Sequence, residues 1–120
     1  MGVIIMTKEE IVVLAKEIIA AQSCCPELKA ATQNWLDAIG TDNEKVAAEN
    51  LIAELKVDVM TVDQVIAAME IDAVIAHLGS ELAGIIKAHA MEQKKNGETE
   101  CDCPACAAGW KILHNKEIIL

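Results

Sequence analysis

Residues 7–21 read TKEEIVVLAKEIIAA, and this stretch sets the fold class. Thr7 followed by Glu10 is a capping box, in which each side chain satisfies an otherwise unpaired backbone N–H at a helix start. Ile11, Leu14, Ala15, Ile18 and Ile19 then recur at three- and four-residue spacing, which is one face of a helix. The pattern predicts a helix from about Lys8 to Ala21. Similar punctuation recurs downstream. Pro26 suits a first helical position, because its missing N–H would be unpaired there anyway. Leu28, Ala31, Trp35, Leu36 and Ile39 share a face behind it, and Gly40 supplies a left-handed stop.

Thr41 with Glu44 and Thr61 with Gln64 repeat the capping box. The first predicts a helix from about Asn43 with Val46, Ala47, Leu51, Ile52 and Leu55 as its apolar stripe. The second predicts one from Val62 with Val65, Ile66 and Met69 inward. Val57 to Met60 alternates like a strand, but it is short and no partner strand is visible, so it reads as an extended linker. Ile71 to Lys95 is helical in pattern with a break at Gly79-Ser80, after which Leu82, Ile85, Ile86 and His89 continue the stripe. Asn96-Gly97 ends it. Pro104 opens a last helix, with Ala107, Trp110, Leu113 and Leu120 on its inner side.

Five or six helices joined by short loops predict an all-α fold, bundle-like or orthogonal. The 120-residue length suits one helical domain over 7–120 with a Cys-bearing C-terminal segment. Met6-Thr7-Lys8 reads as a second possible start, which makes residues 1–6 an N-terminal extension. Composition agrees with helix packing. The chain is 53% hydrophobic, yet it has two Trp, no Phe and no Tyr, so aliphatic and Ala side chains must fill the core.

Charge narrows the partners. All ten basic residues are Lys, against 19 acidic ones, for a net charge of −9. Nucleic-acid binding draws on a basic face and on Arg to read guanine edges, and an anionic membrane repels such a chain. An unidentified protein is the expected partner, with no nucleic acid and no membrane. No secretory leader pattern and no membrane-length apolar run is present, so the expected compartment is the cytoplasm. Thiols stay reduced there, and clustered Cys serve more often as metal ligands or redox groups than as structural disulfides.

The five cysteines fall in two groups. Cys24 and Cys25 are adjacent, and Cys101, Cys103 and Cys106 form C-x-C-x-x-C. Thiolates gather in this way around a soft metal, since a structural Zn²⁺ or an iron–sulfur cluster takes four sulfur ligands. Cys25-Pro26 and Cys103-Pro104 place a Cys before each Pro-led helix, where the positive helix end favours thiolate. The expected ligands are Cys101, Cys103 and Cys106 with a fourth sulfur from Cys25 or Cys24, Cys25 being favoured by its Cys-Pro context. Zn²⁺ ranks first and a [4Fe–4S] cluster second, because the run lacks the common C-x-x-C-x-x-C spacing; Cu(I) also suits a C-x-C pair. His89 or His114 is the rival for one ligand position, and His77 reads as structural. The rival function is thiol–disulfide exchange, by Cys24 with Cys25 or by Cys103 with Cys106. A third is a chaperone-adaptor-like interaction module in which the cysteines are structural.

No phosphate-binding loop, G-x-S-x-G or H-E-x-x-H motif is present, and no nucleophile and base stand at recognisable spacing. The chain is therefore expected to have no ATPase or hydrolase activity. Ser23-Cys24-Cys25-Pro26-Glu27-Leu28, Trp35-Leu36-Asp37-Ala38, Asp58-Val59-Met60 and Cys101-Asp102-Cys103-Pro104-Ala105-Cys106 together resemble a group of small uncharacterised proteins of anaerobic bacteria that carry an automated heat-shock chaperone label. The resemblance covers nearly the whole chain after Met6 and implies a protein of a reducing cytoplasm. It implies no activity or ligand set, and the chain is too short for the ATP-binding domain of a large heat-shock chaperone.

Overall fold

The computed structural model describes residues 6–21 and 24–120. The proposed extension over residues 1–6 lies outside the described residues except for Met6, which packs against the core of the first unit. Among the described residues there are seven α-helices and one short 3-10 turn. They are α1 (Lys8–Ala20), α2 (Pro26–Ala38), α3 (Glu44–Asp58), α4 (Val62–Ala68), α5 (Asp72–Leu78), α6 (Ser80–Lys95) and α7 (Pro104–His114), with the turn at Lys116–Ile118. The fold is all-α. The count exceeds the expected five or six because the chain turns after α4 and restarts at Asp72, making α5 a helix of its own. Gly79, at φ 91°, then separates α5 from α6 in a conformation that glycine adopts without steric cost.

Two compact units emerge. One runs up to Val59 and resumes at Asp102, and the other is Met60–Cys101. In the first unit α2 packs on α3, α1 on α2 and α7, and α3 on α7. Its core holds Ile11, Ile18, Trp35, Leu51, Leu55 and Ile112, all buried to 4% exposure or less. Trp35 is fully buried, and its Nε1 has no hydrogen-bond partner. Thr32 is buried at no such cost, because its hydroxyl donates to the Leu28 carbonyl at 2.7 Å.

The helix starts form as the sequence predicts in two of three cases. Thr7 and Glu10, and Thr61 and Gln64, make full capping boxes. The third differs. Glu44 reaches one residue further back, accepting from the Gly40 N–H at 2.8 Å and pairing with Lys8, while Asn43 takes the N-cap position. The Gly40 N–H first, and then Lys8, hold the Glu44 carboxyl below the usual carboxylate range.

The α7 face also differs from the expected one. Ala105, Ala108, Gly109 and Ile112 are buried, Ala107, Trp110 and Leu113 are half-buried, and Leu120 is exposed. Small residues win this face because the neighbouring helices come close. A Cβ on Gly109 would stand 2.7 Å from Val59 Cγ1 and 3.1 Å from Leu55 Cδ2. In α3, Val46 is exposed and Ala48 takes its place in the core.

In the second unit α6 packs against α4 and α5. Ala83, Ala90 and Gln93 are the buried residues of α6, while Leu82, Ile85 and His89 are exposed. Of the expected stripe only Ile86 packs inward, against the cluster of Val62, Val65 and Ala90, where a short Ala side chain permits a close helix contact. The expected linker is shorter than predicted. α3 continues through Asp58, and Thr61 forms an isolated antiparallel bridge with Glu100.

Two outcomes test this packing. Gly109→Ala gains helix propensity of about 1 kcal/mol but overpacks against the stiff Val59 side chain, which costs about 1–3 kcal/mol. The melting temperature by circular dichroism should fall by a few degrees, and Gly109→Val should fall further. Glu44→Gln should lower stability at pH 7. A depressed carboxyl contributes above its unfolded pKa, and the contribution is lost as pH falls through the folded value. The two proteins should therefore converge in denaturant titrations well below the carboxylate range.

Candidate metal centre

The approach to the cysteine run is fixed by backbone bonds within the second unit. α6 ends at Lys95, and Gly97 turns the chain at φ 84°. The Glu98 N–H returns to the Gln93 carbonyl at 2.9 Å, and the buried Gln93 side chain donates to the Glu100 carbonyl at 3.3 Å. Val62 N–H then bonds Thr99 O at 2.8 Å, and Cys101 N–H bonds Met60 O at 3.0 Å. These four bonds hold the loop ahead of α7 in one path.

Cys103 follows as the N-cap of α7, extended at φ −60° and ψ 156°. Its Sγ accepts the Cys106 N–H at 3.4 Å, and its carbonyl accepts from Ala107 N–H at 2.7 Å. Pro104 occupies the first turn, as the sequence predicts. Cys106 is 8% exposed, whereas Cys101 and Cys103 are half-buried. The Sγ atoms of Cys101, Cys103 and Cys106 all lie within 4.8 Å of one another. Zn–S bonds of about 2.3 Å separate sulfurs by roughly 3.8 Å in a tetrahedral site, so the three need only small side-chain shifts to share one ion.

Among the described residues no other side chain joins that group. Cys24 is 8% exposed in the first unit's core, with its N–H on Ala21 O at 3.3 Å and its Sγ donating to the Cys25 carbonyl at 3.4 Å. Cys25 is the N-cap residue of α2, as expected, but its side chain makes no capping bond. Burial pushes both thiols up from their ordinary range. Beside Cys24 the next cause is Cys25, and Cys103 also contributes. At Cys25 the Leu28 N–H works in the opposite direction, while Asp58 and Glu27 reinforce the rise. The helix start, expected to favour thiolate at Cys25, is opposed there by burial and by acidic neighbours.

Asp58 and Glu54 were not legible as part of this region. They stand four residues apart on α3, and Asp58 pushes the Glu54 carboxyl up. Asp58 Oδ2 is buried with no hydrogen-bond partner. The i, i+4 spacing of two acids was the available signal, but nothing in the sequence brings α3's end to Cys25. The histidines lie outside the sulfur group. His77 and His89 are exposed on α5 and α6, and His114 stacks on Trp110 with centroids 5.8 Å apart.

Among known proteins, no family model, curated protein or solved structure matches this chain.

Thiol reactivity tests the geometry. With chelator present at pH 7, iodoacetamide should modify Cys103 before Cys24 or Cys25, as read by peptide mass spectrometry. The Cys106 N–H on Cys103 Sγ favours its thiolate, whereas burial pushes the other two thiols up. Raising the pH to about 10 should narrow the difference, since thiolate forms at Cys24 and Cys25 only above the ordinary thiol range.

Proposed function

We propose that this chain is a small, non-catalytic, cytoplasmic protein that holds a thiol-ligated metal ion. Cys101, Cys103 and Cys106 supply three ligands, with a fourth sulfur from Cys25 or Cys24. Zn²⁺ is the first choice and a [4Fe–4S] cluster the second. The observation that carries the reading is the mutual 4.8 Å spacing of three sulfurs drawn from six consecutive residues. The donor chemistry fits: soft thiolates select Zn²⁺, Cu(I) or iron–sulfur clusters over Mg²⁺ or Ca²⁺. Its role is accessory: to hold, sense or present the metal, or to rigidify a surface for a protein partner. Among the described residues no helix is long and apolar enough to cross a membrane.

Elemental analysis of untagged protein purified without air tests the proposal. One colourless Zn per chain is expected, and a visible charge-transfer spectrum selects the iron–sulfur alternative. Protein lacking any thiophilic metal, and unable to take up Zn²⁺ added in equimolar amount, rejects both. Cys103→Ser should lose the metal and lower the melting temperature together, because a bound metal stabilises the state that holds it.

A second reading has its own support. Half-exposed Cys103 and buried Cys106 share the first turn of α7, the asymmetry of an attacking and a resolving thiol. Incubation in glutathione buffers of defined poise, followed by mass measurement, separates the two: a two-proton mass loss confined to these Cys at equilibrium supports exchange.

A further inference from the structure

We infer that α6 is a self-association surface, on which a second copy of this chain lays its own α6, antiparallel, about a two-fold axis at Ala88.

One side of α6 is committed within the chain. Ile86 and Ala90 pack with Val62 and Val65 of α4, and Ala83 and Gln93 are buried at the same helical spacing. Lys87 pairs with Glu70, and Lys94 with Asp63. Away from that side, Glu81, Gly84, Ala88, Met91 and Lys95 recur at alternating three- and four-residue steps, and all are exposed. That alternation is the seam spacing of paired helices. Met91 within the seam is 53% exposed, and Ile85 on its flank is 61% exposed. Large apolar side chains gathered on an exposed helix face mark an interaction surface.

The chain's own packing does not account for Gly84. A Cβ there would meet nothing within 4 Å, and the residue has no positive φ that calls for glycine. Glycine inside a helix is unfavourable relative to alanine. Gly109 is the contrast, since close neighbours occupy the space around it. A second copy explains Gly84. In an antiparallel pair centred on Ala88, Met91 of one copy lies within about 1.5 Å along the axis of Gly84 of the other. Met91 then fills the space that a side chain at Gly84 would take, and the small Ala88 residues meet at the axis.

The charges complete the match. Glu81 and Lys95 each stand seven residues from Ala88. The two-fold therefore sets Glu81 of each copy opposite Lys95 of the other, twice in one interface. Among the described residues neither has an ion-pair partner in its own chain. A parallel arrangement would set like on like at both ends. The net charge of −9 opposes association, but α6 itself carries Lys87, Lys94 and Lys95 against Glu81 and Glu92. A seam of one 16-residue helix is small for a protein interface, so the dimer is a reversible one.

Sedimentation velocity of the full chain in reductant, from about 5 to about 500 μM, should show a monomer–dimer equilibrium. A monomer at every concentration overturns the proposal. Gly84→Leu should leave the melting temperature of dilute protein no lower, because the site is open and leucine favours helix, yet weaken the dimer at least about tenfold. Glu81→Lys and Lys95→Glu should each weaken it about fivefold, since like charges then face each other. Mixed in equal amounts, these two variants should associate with each other as wild type does, because the mixture restores opposite charges at both ends. A dimer indifferent to all three variants uses another surface and overturns the proposal. So does a mixture that associates no more tightly than either charge variant alone. The three positions are exposed, and circular dichroism of each variant confirms that the fold is kept.

Discussion

The contact between Gly109 and the end of α3 governs how the first unit closes. Without a side chain at that position, α7 lies against Leu55 and Val59 closely enough that a single added carbon would stand 2.7 Å from Val59 Cγ1. α7 enters this core only after the chain has passed through the whole of the second unit. Its small residues Ala105, Ala108 and Gly109 let it approach α1 and α3 with its backbone rather than with bulky side chains. Cys103 and Cys106 sit on the first turn of that same helix. Their position therefore derives from the packing of α7, and through it from a glycine one to two turns away.

Helix existence was legible in the sequence, and helix faces were less so. Caps and stops are local: Thr7 with Glu10 needs only the four residues it spans, and both partners reach their bonds whatever the rest of the chain does. The face a helix buries depends on its neighbours. Leu82 and Ile85 looked inward because they are large and apolar, yet α6 buries Ala83 and Ala90 and leaves those residues exposed. The same holds for α7, where apolar size favoured Trp110 and Leu113 but closeness selected Ala and Gly. Glu44 shows the local version of this limit. Its carboxylate accepts from the Gly40 N–H and pairs with Lys8 of α1, in place of a bond to the Thr41 N–H.

The candidate site divides along the same line. C-x-C-x-x-C was readable because its three sulfurs come from one short segment, with Pro104 fixing where α7 begins. The Cys24-Cys25 pair was readable only as a pair. Their surroundings are set by the packing of α1 on α7 and by the acids at the end of α3. Neither is encoded near position 24. Asp58 had no visible reason to matter until α3 was found to deliver it to Cys25.

Loop length gives the two parts of the sulfur set different energetic roles. Bringing Cys101, Cys103 and Cys106 onto one ion orders only a few residues already held by the backbone bonds ahead of α7, so the metal gains little from closing that loop and little is lost when it leaves. The fourth sulfur proposed above, from Cys25 or Cys24, would close a loop that contains most of the chain, and the closure entropy removed from the unfolded state grows with the logarithm of that length. A three-sulfur state is thus suited to exchanging metal, and a four-sulfur state to tying the start of α7 to the end of α1.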